Sequence, residues 1–92
     1  MRLVPEKLRD RAKEFRDCSE DMEQIVSHMQ MMITNLAEEW EGKSYEGFLK
    51  QFEELKPQLD KTVILGRDIG EQLDSIVTNF EDVDNYIAER IG

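Results

Sequence analysis

Ninety-two residues, 39% apolar and 36% charged, with five Gly and two Pro, leave room for one small domain with a single core and exclude a multidomain enzyme. The 12 basic and 21 acidic residues give a formal charge of -9, so nucleic acid and anionic lipid surfaces repel the chain before contact. The opening Met1–Glu6 turns polar at once and no apolar run approaches the roughly 20 residues of a membrane span, which predicts a cytoplasmically made, soluble, all-α protein without a cleavable signal peptide.

The first predicted helix covers about residues 5–38. Pro5 suits a first helical position, where a missing N–H costs nothing, although Val4 before it is a poor N-cap. From Leu8 the residues Ala12, Phe15, Ser19, Met22, Val26, Met29, Ile33, Leu36 and Trp40 follow in steps of four and three. That 3.5-residue repeat is a helix seam, interrupted by a single polar residue, Ser19.

The chain reverses at Glu39-Trp40-Glu41-Gly42-Lys43-Ser44, where Gly42 can take a positive φ and Ser44 can cap the next helix. A second helix, about 45–90, repeats the rhythm through Tyr45, Phe48, Phe52, Leu55, Leu59, Thr62, Gly66, Ile69, Leu73, Ile76, Phe80, Val83 and Ile87. So short a turn makes the helices antiparallel neighbours, residue i of the first lying beside roughly residue 83 − i of the second. Pro57 should bend the second helix, and Gly66 and Gly70, one turn apart, predict a close backbone approach where the helices cross.

The helices are unequal. At 1.5 Å per residue they span roughly 50 and 70 Å, so the last dozen residues overhang, yet Phe80, Val83, Ile87 and Ile91 there are apolar. A second apolar stripe lies one position from the seam: Cys18, Ile25 and Met32 on the first helix, Leu49, Val63 and Val77 on the second. A hairpin needs one seam only, so the extra stripe predicts a dimer interface at Cys18, Ile25, Met32, Val63 and Val77, closing two hairpins into a four-helix bundle.

Chemistry is sparse. Cys18 has no disulfide partner in the chain, and with His28 it supplies two ligands where a zinc site needs three or four, so neither metal nor cofactor is expected. Cys18 and His28 point to different sides of one helix, and a thin hairpin offers no sheltered cleft, which predicts no catalytic site. Cys18 is expected as a small buried group near the dimer interface. Trp40-Glu41-Gly42 stands out because the only Trp of the chain sits just before a reversing Gly at mid-chain, between two heptad helices.

With Pro5-Glu6-Lys7-Leu8-Arg9, Trp40-Glu41-Gly42, Phe48, Phe52 and Leu55-Lys56-Pro57 in place, the chain resembles, over nearly its whole length, the WXG-motif family of early-secreted-antigen-like type VII secretion substrates. The members it is most similar to are those of bacillus- and staphylococcus-type Gram-positive bacteria. The resemblance implies a virulence-associated helical hairpin that pairs antiparallel with itself or with a related WXG protein. It also implies export in folded form by a membrane-anchored FtsK/SpoIIIE-type ATPase, through the turn residues Trp40 and Gly42 and the carboxyl-terminal end. The export signal Tyr-x-x-x-(Asp/Glu) is absent, since Arg90 occupies its acidic position after Tyr86. The broader family pattern of hydrophobic, acidic, hydrophobic and hydrophobic residues is matched by Phe80, Asp84, Ile87 and Ile91. Heptad continuation accounts for Phe80 and Ile87 without any export role, so Asp84 is the discriminating position.

Two other functions fit the same sequence: a targeting partner that heterodimerises with a larger exported toxin, and a cytoplasmic helical adaptor. Direct membrane insertion is disfavoured because the apolar faces are used in the bundle and the outer surface is acidic.

Overall fold

In the computed structural model residues 2–40 and 42–91 are described, residue 91 by its backbone alone, so Glu41 of the turn and the Ile91 side chain lie outside the described residues. Two helices, α1 (Pro5–Leu36) and α2 (Lys43–Ile91), form an antiparallel hairpin with extents of 75 × 19 × 17 Å. The expected all-α hairpin is thus the fold.

Helix ends differ from expectation by a few residues. Val4 precedes α1 in extended conformation without a side-chain cap, and its carbonyl accepts the Leu8 N–H at 3.1 Å. α1 stops at Leu36, two residues early, because the next three N–H groups (Ala37, Glu38, Glu39) donate to the carbonyls three residues back and tighten the last turn. Gly42 carries the positive φ, 116°. α2 starts at Lys43, so Gly42 holds the place before the first turn and Ser44 sits inside it; the Gly42 carbonyl accepts the Glu46 N–H at 3.3 Å. α2 is continuous through Pro57.

The register follows the expected antiparallel pairing. Arg9 meets Asp74 at 3.3 Å, and an added Cβ on Gly70 would stand 2.9 Å from the Ala12 carbonyl oxygen. On Gly66 it would collide with Ser19 Oγ. The two glycines therefore mark a close approach of the backbones.

That approach decides which stripe is the seam. α1 buries Ala12, Ser19, Val26 and Ile33, as its repeat predicts, but α2 buries Phe52, Val63, Gly70 and Val77. Val63 and Val77, expected at a dimer interface, are 4% and 0% exposed within one protomer, covered by α1. They belong to the hairpin seam. Conversely Phe48, Leu55 and Ile76, expected in the seam, are exposed, and Cys18, expected to be buried near a dimer interface, is exposed in the single hairpin. Gly66 and Gly70 cause the exchange: α1 comes nearest where α2 has no Cβ, which turns Val63 and Val77 inward and Leu55 and Ile76 out.

Candidate functional site

The seam separates two unlike flanks. On one, ion pairs bridge the helices: Arg9 with Asp74 and, at 3.5 Å, with Glu81; Arg16 with Asp74; Arg67 with Glu23. All are partly exposed, so each contributes under about 1 kcal/mol.

The other flank is apolar. On α1 it presents Phe15, Cys18, Met22, Ile25, Met29 and Met32, again in steps of three and four; on α2 it presents Phe48, Leu55, Ile69 and Ile76. Ile25 is 59% and Met32 50% exposed. These side chains meet across the hairpin: Met29, Met32, Leu36, Phe48, Phe52 and Leu55 line one open groove of about 350 Å³ near the turn. This contiguous apolar face is the candidate site. Cys18, Ile25 and Met32, expected at a dimer interface, lie on this face, together with Phe48, Leu55, Ile69 and Ile76 of α2, which were expected in the hairpin seam. The signal for the α2 half is the doubled apolar stripe of α2, of which only one member can face α1.

At the turn, Trp40 is 39% exposed and packs on the first turns of α2, edge-on to Tyr45 with centroids 6.4 Å apart and tilted against Phe48 at 6.0 Å. Tyr45 Oη donates to the Ile33 carbonyl at 3.2 Å, tying α2 back to α1. Gly42 lies beside this cluster, and its left-handed backbone lets the chain double back there.

The carboxyl-terminal residues stand at the other end of the molecule. From Thr78 to Arg90 every residue is exposed: α1 begins beside the end of the α2 seam, and the Arg9 side chain reaches past it to Thr78 and Glu81 without burying either. Phe80, Val83 and Ile87 form an apolar stripe there, and Asp84 continues the line of Val63, Gly70 and Val77 into solvent. Within one chain Trp40 and Gly42 are therefore not brought together with Phe80, Asp84 and Ile87: the 38 residues of α2 from Lys43 to Phe80 alone span about 55 Å.

Among the described residues, no three His, Cys, Asp or Glu side chains are placed to hold a metal ion, and no helix is long and apolar enough to cross a membrane.

A two-helix hairpin with an aromatic-pinned Trp-x-Gly turn, one apolar flank and an overhanging second helix defines a class of small helical-hairpin proteins. The chain belongs to WXG100, described as proteins of 100 residues with WXG, and residues 1–85 match that family. It is similar to protein YukE of Bacillus subtilis, 37% identical over 91 residues that make up 99% of this chain and 94% of the relative. It is also similar to type VII secretion system extracellular protein A of Staphylococcus aureus, 26% identical over 92 residues, covering 100% and 95% of the two chains. Among solved structures, Geobacillus thermodenitrificans EsxA superposes with a TM-score of 0.85 at 35% identity, covering 96% of each chain. The family is one of small helical proteins and not of enzymes.

Proposed function

We propose that this protein is a substrate of a type VII secretion system, exported as an antiparallel homodimer by a membrane-anchored FtsK/SpoIIIE-type ATPase, with a role in virulence. The observation that carries the reading is the pairing of the Trp40–Gly42 turn with an apolar flank that nothing in the protomer covers, in a chain related to extracellular type VII proteins. A second hairpin laid antiparallel on that flank brings its Phe80, Asp84 and Ile87 to the end where Trp40 and Gly42 stand. The ATPase then reads a surface that exists only in the dimer.

The test is fractionation of the producing organism with and without its secretion ATPase. The protein is expected in the medium only when the ATPase is present; Trp40→Ala and Asp84→Lys are each expected to hold it in the cells while leaving a helical dimer. Normal amounts of both variants in the medium would defeat the export surface. Retention of the unmodified protein under both conditions would move the function to adaptor, and replacement of the homodimer on co-expression with a larger exported protein would move it to targeting partner. The dimer itself has a direct measure: light scattering at micromolar concentration should return twice 10.8 kDa.

A further inference from the structure

The exposed line of α1 has an unusual symmetry. Arg11, Cys18, Ile25, Met32 and Glu39 follow one another seven apart, so that Ile25 is the midpoint and the two charged residues are its ends. Each end stands about 21 Å from the middle. Arg11 and Glu39 are exposed, and Glu39 follows the end of α1 directly, its N–H donating to the Leu36 carbonyl at 3.0 Å. Within the protomer Arg11 reaches its own neighbour Glu14, at 2.7 Å, in a pair too exposed to hold it there.

α2 repeats the symmetry. Phe48, Leu55, Thr62, Ile69 and Ile76 are also seven apart, with Thr62 at the middle. The contacts of Ala12 with Gly70 and of Arg9 with Asp74 set Ile25 level with about residue 58 of α2, so the two midpoints stand about 6 Å apart in height. A two-fold axis lying in the apolar flank and crossing α1 at Ile25 maps the α1 line onto itself reversed. α1 then faces its own copy antiparallel.

We propose that Arg11 of each protomer pairs with the partner's Glu39 across this axis, and that these two ion pairs fix the register and antiparallel sense of a homodimer and select a second copy of this chain. The inference rests on the homodimer proposed above. Charge favours this arrangement over its alternative. A parallel two-fold dimer on the same flank would set α1 against the partner's α2, so Arg11 and the partner's Glu39 would not meet. It would also align the acidic overhangs, each with Glu81, Asp82, Asp84 and Glu89. The apolar lines between the charged ends supply attraction without direction, and the ends supply the direction.

The test is a charge exchange read by sedimentation and by native mass spectrometry of mixtures. Arg11→Glu gives a chain with two acidic ends and Glu39→Arg a chain with two basic ends. Each alone should dimerise about tenfold more weakly than the unmodified protein, since two attractive contacts become two repulsive ones. Mixed together, the two should form heterodimers in preference to either homodimer, because both pairs are then restored. The chain carrying both substitutions should again form a homodimer of ordinary affinity. Both positions are exposed, and circular dichroism should show unchanged helix content in every variant. A dimeric unmodified protein whose variants mix at random would overturn the pairing and leave the homodimer standing. A monomeric unmodified protein would overturn both.

Discussion

Replacing Val63 by Asp should abolish the hairpin, and replacing Ile25 by Asp should leave it folded and monomeric. The two substitutions introduce the same carboxylate on apolar positions that heptad counting places in one stripe, and their surroundings differ. Val63 is closed in by α1, so an aspartate there loses its water without any cation within the seam to receive it. Such a burial costs several kcal/mol, against a total stability of about 5–15 kcal/mol for a small domain. A two-helix unit with a single thin core belongs at the low end of that range. Circular dichroism should therefore report the loss of helix for Val63→Asp. At Ile25 the carboxylate stays in water in the protomer and is buried only if a second copy covers the flank. Its expected signature is unchanged helicity with the scattering mass halved. If Val63→Asp keeps its helices and loses only the dimer, Val63 is a contact between chains and does not belong to the hairpin seam.

The same pair of residues shows how far the sequence carries. Helix number, antiparallel order and the reversal at Gly42 follow from the 3.5-residue repeat and one permissive glycine, and each is present in the structure. The choice between adjacent stripes on α2 does not follow from periodicity, because Phe48, Leu55, Ile69 and Ile76 are as apolar as Leu49, Val63 and Val77 and stand one residue away. Hydrophobicity is non-directional, and both stripes satisfy it equally. What separates them is steric. Ala12, Ser19, Gly66 and Gly70 admit a backbone approach on one edge of α2 only, and reading those small residues against one another across the turn would have named the seam.

The candidate site divides in the same way. Trp40 and Gly42 were legible because a single Trp beside a reversing Gly is a local feature. The cluster that holds Trp40 involves Tyr45 and Phe48, which the repeat assigned to the seam alone; their proximity to Trp40 depends on where α2 starts, and a shift of two residues in that start rotates both side chains by half a turn of the helix. The apolar flank opposite the ion pairs was half legible. Cys18, Ile25 and Met32 stand on it, but its α2 side could be located only after the seam was known, since an exposed stripe is whatever the packing leaves over. The overhang followed from helix lengths, and its exposure from Thr78 onward agrees with that count.

The close approach that settles the seam gives the second large effect. Gly70→Leu should lower stability by about 3 kcal/mol, the upper part of the range for forcing extra side-chain atoms into a packed contact. For a chain of this length that is a fall in melting temperature of about 15 °C. The obstacle is the Ala12 carbonyl oxygen, 2.9 Å from where the new Cβ would stand, together with the Arg16 side chain at the same distance. Arg16 can swing aside. The carbonyl belongs to the α1 backbone and can retreat only if the whole helix does, which would loosen Val63 and Val77 on either side. Gly70→Ala sets the same clash against the roughly 1 kcal/mol that Ala gains over Gly in a helix interior, so a smaller net loss is expected. Gly47 supplies the control, since it lies inside α2 with nothing within 4 Å of an added Cβ. Gly47→Ala should therefore stabilise by about 0.5–1 kcal/mol, the difference in helix propensity with no steric cost. Opposite signs for Gly70→Leu and Gly47→Ala in thermal melts are the expected result. Equal, mild effects at both positions would mean that the helices stand further apart at Gly70 than 2.9 Å from Cβ to carbonyl allows, and close approach would no longer account for the choice of the Val63 and Val77 stripe.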